Sequence, residues 1–277
     1  MDVFAAFIAP ALAGVFVGVM SGLLGVGGGT IMVPIFRLAF GMSPLASTAT
    51  SLFAIIPTSI SGVVAHARAK TCVPKLGLAL GVGGAVMSPM GVWLASVSPG
   101  WLVICVAAIV IGFSAFKMFK KAVKCAPTPR AGRAGGNVQA VSAKAVPDQP
   151  VLSRKQYLQG ACIGLIAGLA SGYVGVGGGF IMVPLMLAVL DIPMSLASGT
   201  SLIAIMILAI PGVIEQGLLG NIEYLAGIAI VVGSIPGALV GARLVRVVPE
   251  RQLRFIFGGF LLVAAVMLML NEFGILG

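Results

Sequence analysis

The chain has 277 residues, 59% hydrophobic and only 9% charged, with a net charge of +10 and a mean hydropathy of +1.15. A soluble domain carries about 25% charged residues, so a water-soluble globular fold is excluded. Unbroken apolar runs exclude a transmembrane barrel, and positive residues gathered beside those runs argue for loop charge at a bilayer rather than for a nucleic-acid partner.

The chain begins MDVFAAFIAPALAG, with an Ala-x-Ala-like stretch at Ala11–Ala13 but no positive n-region, so it reads as a retained first span. Charges, prolines and glycines divide the first half into five apolar segments, 3–24, 26–41, 47–65, 76–96 and 101–119. A Pro-, Gly-, Ala- and Lys/Arg-rich stretch follows, KKAVKCAPTPRAGRAGGNVQAVSAKAVPDQPVLSRK, which cannot bury a core and is expected to be a loop. Five further segments follow at 157–174, 176–190, 197–214, 225–245 and 252–270. The expected domains are 1–120, a linker over 121–155, and 156–277.

The two halves are copies. GLLGVGGGTIMVP starts at Gly22 and GYVGVGGGFIMVP at Gly172, an offset of 150 residues. At the same offset Gly14, Gly18, Ser21 and Gly62 match Gly164, Gly168, Ser171 and Gly212, and TSL at Thr50–Leu52 matches TSL at Thr200–Leu202. Such register is a tandem structural duplication. The linker carries nine Lys or Arg between Lys117 and Lys155 against one acid, Asp148, and is expected to be cytoplasmic. With five crossings per copy, the loops holding Arg68, Lys70 and Lys75 and holding Arg243, Arg246, Arg251 and Arg254 fall on that side too. The loop with Glu215 and Glu223 falls on the other, and both termini are periplasmic. The copies are then inverted, a pattern of alternating-access transporters.

The second segment of each copy is short. At about 1.5 Å per residue it reaches 20–25 Å against a core of about 30 Å, and it contains Pro34 or Pro184. Preceded by Gly-x-Gly-Gly-Gly, it implies a chain that unwinds inside the bilayer, where only protein or a water-filled cavity can satisfy backbone groups. The following helix aims its N-terminal amides at the loop, an anion site made of backbone. Segments 1 and 2 would form a hairpin that need not cross fully. Gly14, Gly18 and Gly22, like Gly164, Gly168 and Gly172, have the four-residue spacing of helix packing. The GxGxxG spacing fails at Thr30 and Phe180, which excludes a nucleotide fingerprint.

Other polar groups are sparse. Thr50, Ser51, Thr200 and Ser201 sit in the first turns of the third segments; their hydroxyls can bind an oxyanion or bond back to the helix, and both readings stay open. His66, the only histidine, aligns with Gln216 and is a candidate for gating or a proton relay beside its ordinary reading as a helix-end residue. Arg37, aligned with Leu187, snorkels or draws anions to a mouth. Cys72, Cys105, Cys125 and Cys162 form no CxxC pair, so neither metal nor disulfide is assigned. An intramembrane enzyme would need a nucleophile and base or a metal cluster, which these residues do not supply, and no cofactor is expected.

The duplicated GVGGG…MVP followed by TSL resembles the sulfite exporter TauE/SafE family of membrane proteins, across both halves and the basic linker. The resemblance implies a transporter of sulfur-containing anions such as sulfite, sulfoacetate or related organosulfonates, usually outward across the bacterial inner membrane. By position its glycine motif falls on Gly25, Gly27, Gly28 and Gly29 and on Gly175, Gly177, Gly178 and Gly179, and its threonine-serine motif on Thr50, Ser51, Thr200 and Ser201. The expected protein is an all-α polytopic membrane transporter of two inverted five-segment repeats, in which one repeat rocks against the other around a small anionic substrate. A channel, a proton-coupled importer of sulfur or carboxylate anions, and a membrane scaffold are the competing readings, and oligomeric state is not legible.

Overall fold

A computed structural model describes residues 3–124, 153–174, 177–245 and 247–272; residues 125–152 of the expected linker loop lie outside them. Each expected apolar segment is a helix: α1 (Val3–Leu24), α2 (Gly29–Leu38), α3 (Pro44–Arg68), α4 (Pro74–Val97), α5 (Gly100–Lys124), α6 (Arg154–Val174), α7 (Gly179–Leu185) continued by a π-helical turn (Met186–Leu190), α8 (Met194–Leu218), α9 (Tyr224–Leu244) and α10 (Glu250–Glu272). No strand occurs among the described residues. Among the described residues six helices (α1, α3, α4, α6, α8 and α9) are long and apolar enough to cross a membrane, as a multi-pass membrane protein requires.

Helix ends run past the apolar segments because polar residues and proline extend them. Ser43 accepts a hydrogen bond from the Ala46 amide at 3.2 Å and Pro44 opens α3; Pro74 opens α4. α3 and α8 end in matching left-handed corners. The Thr71 amide donates to the His66 carbonyl at 2.9 Å, and the Asn221 amide to the Gln216 carbonyl at 3.1 Å. The left-handed residue is Gly220 (φ 70) in one corner but Lys70 (φ 55) in the other, where a side chain is strained.

The most extensive helix contacts join one sequence copy to the other: α1 lies along α9, α4 along α6, α3 along α8 and α5 along α10. Glycine makes the first two seams possible. A methyl group on Gly14, Gly18 or Gly22 would collide with the carbonyl oxygen of Ile230, Ser234 or Ala238. One on Gly164, Gly168 or Gly172 would collide with that of Leu80, Gly84 or Ser88. These contacts are reciprocal at the 150-residue offset, the mark of a pseudo-two-fold relation between like interfaces. Residue numbers rise together along both seams, so α1 runs with α9 and α4 with α6. α3 and α8 run oppositely, since Gly62 meets Leu202 while Gly212 meets Leu52.

Contacts between helix ends sort the charges. The end of α3 (His66) bonds the end of α1 (Gly22), the start of α4 (Val73) bonds α8 (Thr200), and the start of α8 (Met194) bonds Glu250 of α10. That end of the bundle holds Arg68, Lys70, Lys75, Arg251 and Arg254. At the other end, the Glu223 amide bonds Thr50 in the first turns of α3, and the adjoining α8–α9 corner, 219–223, contains no Lys or Arg.

The seams yield a clear stability prediction. Gly18→Ala and Gly168→Ala must push backbones apart, each costing about 1–3 kcal/mol as overpacked sites do. Gly112→Ala, whose added methyl meets nothing within 4 Å, should leave stability unchanged or raise it by up to about 1 kcal/mol through helix propensity. Thermal unfolding of the detergent-solubilised chain measures all three; equal melting temperatures would dismiss the seams as a source of stability.

Candidate functional site

Two breaks in helical structure meet at the centre of the bundle. After α1 the chain passes through Gly25 (φ 71), Gly27 (φ 81) and Gly28 (φ 85), conformations that side chains rarely adopt, before α2 begins at Gly29. After α6 it passes through Gly177 (φ 73) and Gly178 before α7 begins at Gly179; Gly175 lies outside the described residues. No side chain caps α2 or α7, so their first amides face the loops without a side-chain acceptor.

The structure brings the two loops together. A Cβ on Gly179 would stand 2.7 Å from the Val26 Cα and 2.8 Å from the Gly25 carbonyl oxygen. One on Gly27 would stand 2.9 Å from Ile205 Cγ2, and one on Gly177 3.0 Å from Ile55 Cδ1. Ile55 of α3 and Ile205 of α8 thus occupy equivalent places against the opposing loops. Residues 21–30 and 177–184 are buried without exception, so this centre is closed to solvent.

The hydroxyls around it divide into two groups. Thr50 Oγ1 accepts from the Glu223 amide and Thr200 Oγ1 from the Val73 amide, both at 3.0 Å; each threonine holds the start of the helix that follows a corner. Thr200 also donates to the Leu196 carbonyl at 2.6 Å. Ser201 donates to the Gly25 carbonyl at 2.6 Å, with the Ser198 carbonyl as a second acceptor at 2.8 Å, and so ties α8 to the first glycine loop. Ser51, its counterpart, is buried with no partner for its hydroxyl. The hydroxyls of Ser21, Ser59, Ser171 and Thr30 are likewise buried without partners. Ser51, Ile55 and Ser59 are spaced by four and share the α3 face that meets the loops. Ser21, one turn before Gly25, and its copy Ser171 were not singled out as site residues from sequence. The available signal was a hydroxyl kept in both copies within the apolar run before the glycine loop.

His66 is fully buried. Its Nε2 donates to the Gly22 carbonyl at 2.9 Å, and its Nδ1 lies 2.7 Å from Thr71 Oγ1. In the other copy Gln216 takes the same corner, accepting from Asn221 Nδ2 at 2.7 Å. A non-titrating residue therefore fills the equivalent place. Arg37 is half-buried in the last turn of α2, where a cation suits the carbonyl end of the helix dipole. Arg254 is the one buried Lys or Arg among the described residues, bound to Glu250, so no cation is buried at the centre itself. Burial pushes the Cys72 thiol up, which keeps it protonated and unreactive. Among the described residues no three His, Cys, Asp or Glu gather where they could hold a metal.

Comparison with known proteins agrees with this architecture. The probable membrane transporter protein YunE of Bacillus subtilis (strain 168) is 27% identical over 248 residues, covering 87% of this chain and 89% of that protein. YdhB of the same organism, also a probable membrane transporter protein, is 28% identical over 238 residues, 86% and 89% of the two chains. The probable membrane transporter protein MJ0441 of Methanocaldococcus jannaschii is 24% identical over 274 residues, 94% of each. No solved structure matches. A family model, sulfite exporter TauE/SafE, matches residues 10–268; with its paired glycine loops and apolar helices, the chain belongs to that family of membrane transporters.

Proposed function

We propose that the protein moves a small sulfur-containing oxyanion (sulfite, sulfoacetate or a related organosulfonate) out of the cell across the bacterial inner membrane by alternating access. One observation carries the reading. Buried hydroxyls that lack partners stand beside two amide-bearing glycine loops, one from each copy, at the centre of the bundle. A buried donor left unsatisfied costs about 1–3 kcal/mol, and an oxyanion is the ligand that would satisfy several at once. The donors are neutral, so the site binds by dipoles and lets the anion leave.

The opposite directions of α3 and α8 and the reciprocal seams support an inverted arrangement. The basic end of the bundle supports a cytoplasmic placement of the linker, with both termini periplasmic. An inside-negative potential then drives the anion outward at about 2.3 kcal/mol per charge per 100 mV, so export needs no second ion. The relatives' names as membrane transporters favour this over an enzyme or a scaffold.

Proteoliposomes loaded with labelled sulfite test the direction and coupling. Efflux should rise several-fold when an inside-negative potential of about 100 mV is imposed, with no proton gradient. Transport that required a proton gradient would favour the importer instead.

Two sets of substitutions separate binding from architecture. Ser51→Ala removes a hydroxyl with no internal partner, so stability of the unliganded chain should hold or rise by up to about 1–3 kcal/mol while anion affinity falls about 10-fold or more, the worth of a hydrogen bond to charge. Thr50→Ala and Thr200→Ala should each lose about 1 kcal/mol of stability, as lost helix-start caps do. Calorimetric sulfite titration and melting curves on the same samples read both, and unchanged affinity in Ser51→Ala would remove the hydroxyl from the site. His66→Gln should keep transport within about two-fold and leave its pH profile unaltered, because glutamine offers a comparable donor and acceptor. A flattened pH profile would restore the proton-relay reading.

A further inference from the structure

An apolar crevice of about 610 Å³ runs between α1, α2 and α10, walled by Phe16 and Met20, by Thr30 and Pro34, and by Gly259 and Phe260. Phe16 and Val263 at its rim are exposed on the outer surface of the bundle, which in a bilayer faces hydrocarbon. The two copies differ here. The position of Thr30 is taken in the second copy by Phe180, whose ring is fully buried. Gly259 leaves open space, since an added Cβ there meets nothing within 4 Å.

The crevice has a polar neighbour at one end. Arg251 precedes Phe255 by one helical turn and lies over its ring, 5.7 Å from the centroid, and Phe255 lines the crevice. Arg251 Nε is buried without a hydrogen-bond partner, while Arg254 beside it bonds Glu250 through Nη2 and leaves its Nε and Nη1 unpartnered. Both arginines lie at the basic end of the bundle, and anionic lipid is drawn to basic residues at a membrane surface.

We infer that this crevice is a phospholipid site: one acyl chain fills the space between α1, α2 and α10, and the anionic headgroup phosphate sits at Arg251. The chemistry fits because the walls are apolar throughout most of their length, an occupant enters sideways from the bilayer, and a planar guanidinium binds phosphate through paired N–H donors. One wall is α2, the helix that carries the first glycine loop, so the lipid would bear on how freely that loop moves. That consequence rests on the transport reading; the binding itself does not.

Native mass spectrometry of the full chain, purified and exposed to phosphatidylglycerol or to phosphatidylcholine of the same acyl composition, tests the site. The unaltered chain should retain one phosphatidylglycerol per protomer, several-fold more than phosphatidylcholine. Gly259→Leu, which fills the crevice without meeting existing atoms at its Cβ, should lose that lipid while keeping its helical content and melting temperature. Arg251→Gln should retain a lipid but no longer prefer the anionic one. Undiminished phosphatidylglycerol in Gly259→Leu, an unchanged preference in Arg251→Gln, or a shift in dimer fraction in place of lipid loss would each overturn the inference. A transporter that failed to move sulfite yet kept this lipid pattern would sink the transport reading alone.

Discussion

Inside a bilayer, backbone amides and carbonyls have no water to turn to, and that constraint governs this structure. The ten α-helices of the described residues satisfy it internally. The two glycine loops do not, and each survives because the other half of the chain closes over it. Ser201 of α8 donates to the Gly25 carbonyl, Gly179 presses on Val26, and Ile55 and Ile205 cover Gly177 and Gly27. A site of this kind cannot be built by one copy alone. The duplication supplies a second broken helix to shelter the first.

The frame is symmetric, but the side chains placed on it are not. Ser201 is bonded to a loop carbonyl while Ser51 has no partner; Ser59 is matched by Ala209, Thr30 by Phe180, and His66 by Gln216. Gly14, Gly18 and Gly22 keep their identity as Gly164, Gly168 and Gly172, because the carbonyls each set meets, of Ile230, Ser234 and Ala238 and of Leu80, Gly84 and Ser88, lie at the same offset. Several residues around the centre have diverged, because a hydroxyl there that bonds the other copy in one half, as Ser201 does, has no such acceptor in the other half, as at Ser51. Gln216 shows the difference for His66: the corner needs a hydrogen-bonding side chain, and a titrating one is optional.

The sequence made the helices legible because their boundaries are chemical. Charges, prolines and glycine breaks mark all ten, and the errors of a few residues at the ends come from caps such as Ser43 and from the corners at Lys70 and Gly220. The two glycine breaks were legible in GVGGG, because three consecutive glycines cannot form one helix face. The roles of the hydroxyls were not. Thr50 and Ser51 are neighbours of the same chemistry, yet one bonds the Glu223 amide of a distant corner and the other bonds nothing. Only the position of α9 decides that, and no local pattern encodes it. The pairing of α1 with α9 was hidden for the same reason: four-residue glycine spacing announces a close neighbour without naming it.

That pairing bears on how access could alternate. Rocking one sequence copy against the other would tear α1 from α9 and α4 from α6, the two seams where backbones touch. A motion that spared them would move α1–α3 with α9–α10 against the contiguous block α4–α8, opening chiefly the α3–α8 and α5–α10 contacts and breaking the Met194–Glu250 hydrogen bond. The hydrogen bonds fit such a division. Thr50 to Glu223, His66 to Gly22 and Ser61 to the Ile235 carbonyl lie within the first block, and Thr200 to Val73 lies within the second. The chain crosses between these blocks at the two left-handed corners, at Lys70 and at Gly220. Ser201 reaches across to the Gly25 carbonyl, yet it has the Ser198 carbonyl of its own helix within 2.8 Å. Were the blocks to part in this way, that hydroxyl would exchange one acceptor for the other, and the loop would be released without leaving a buried donor unsatisfied.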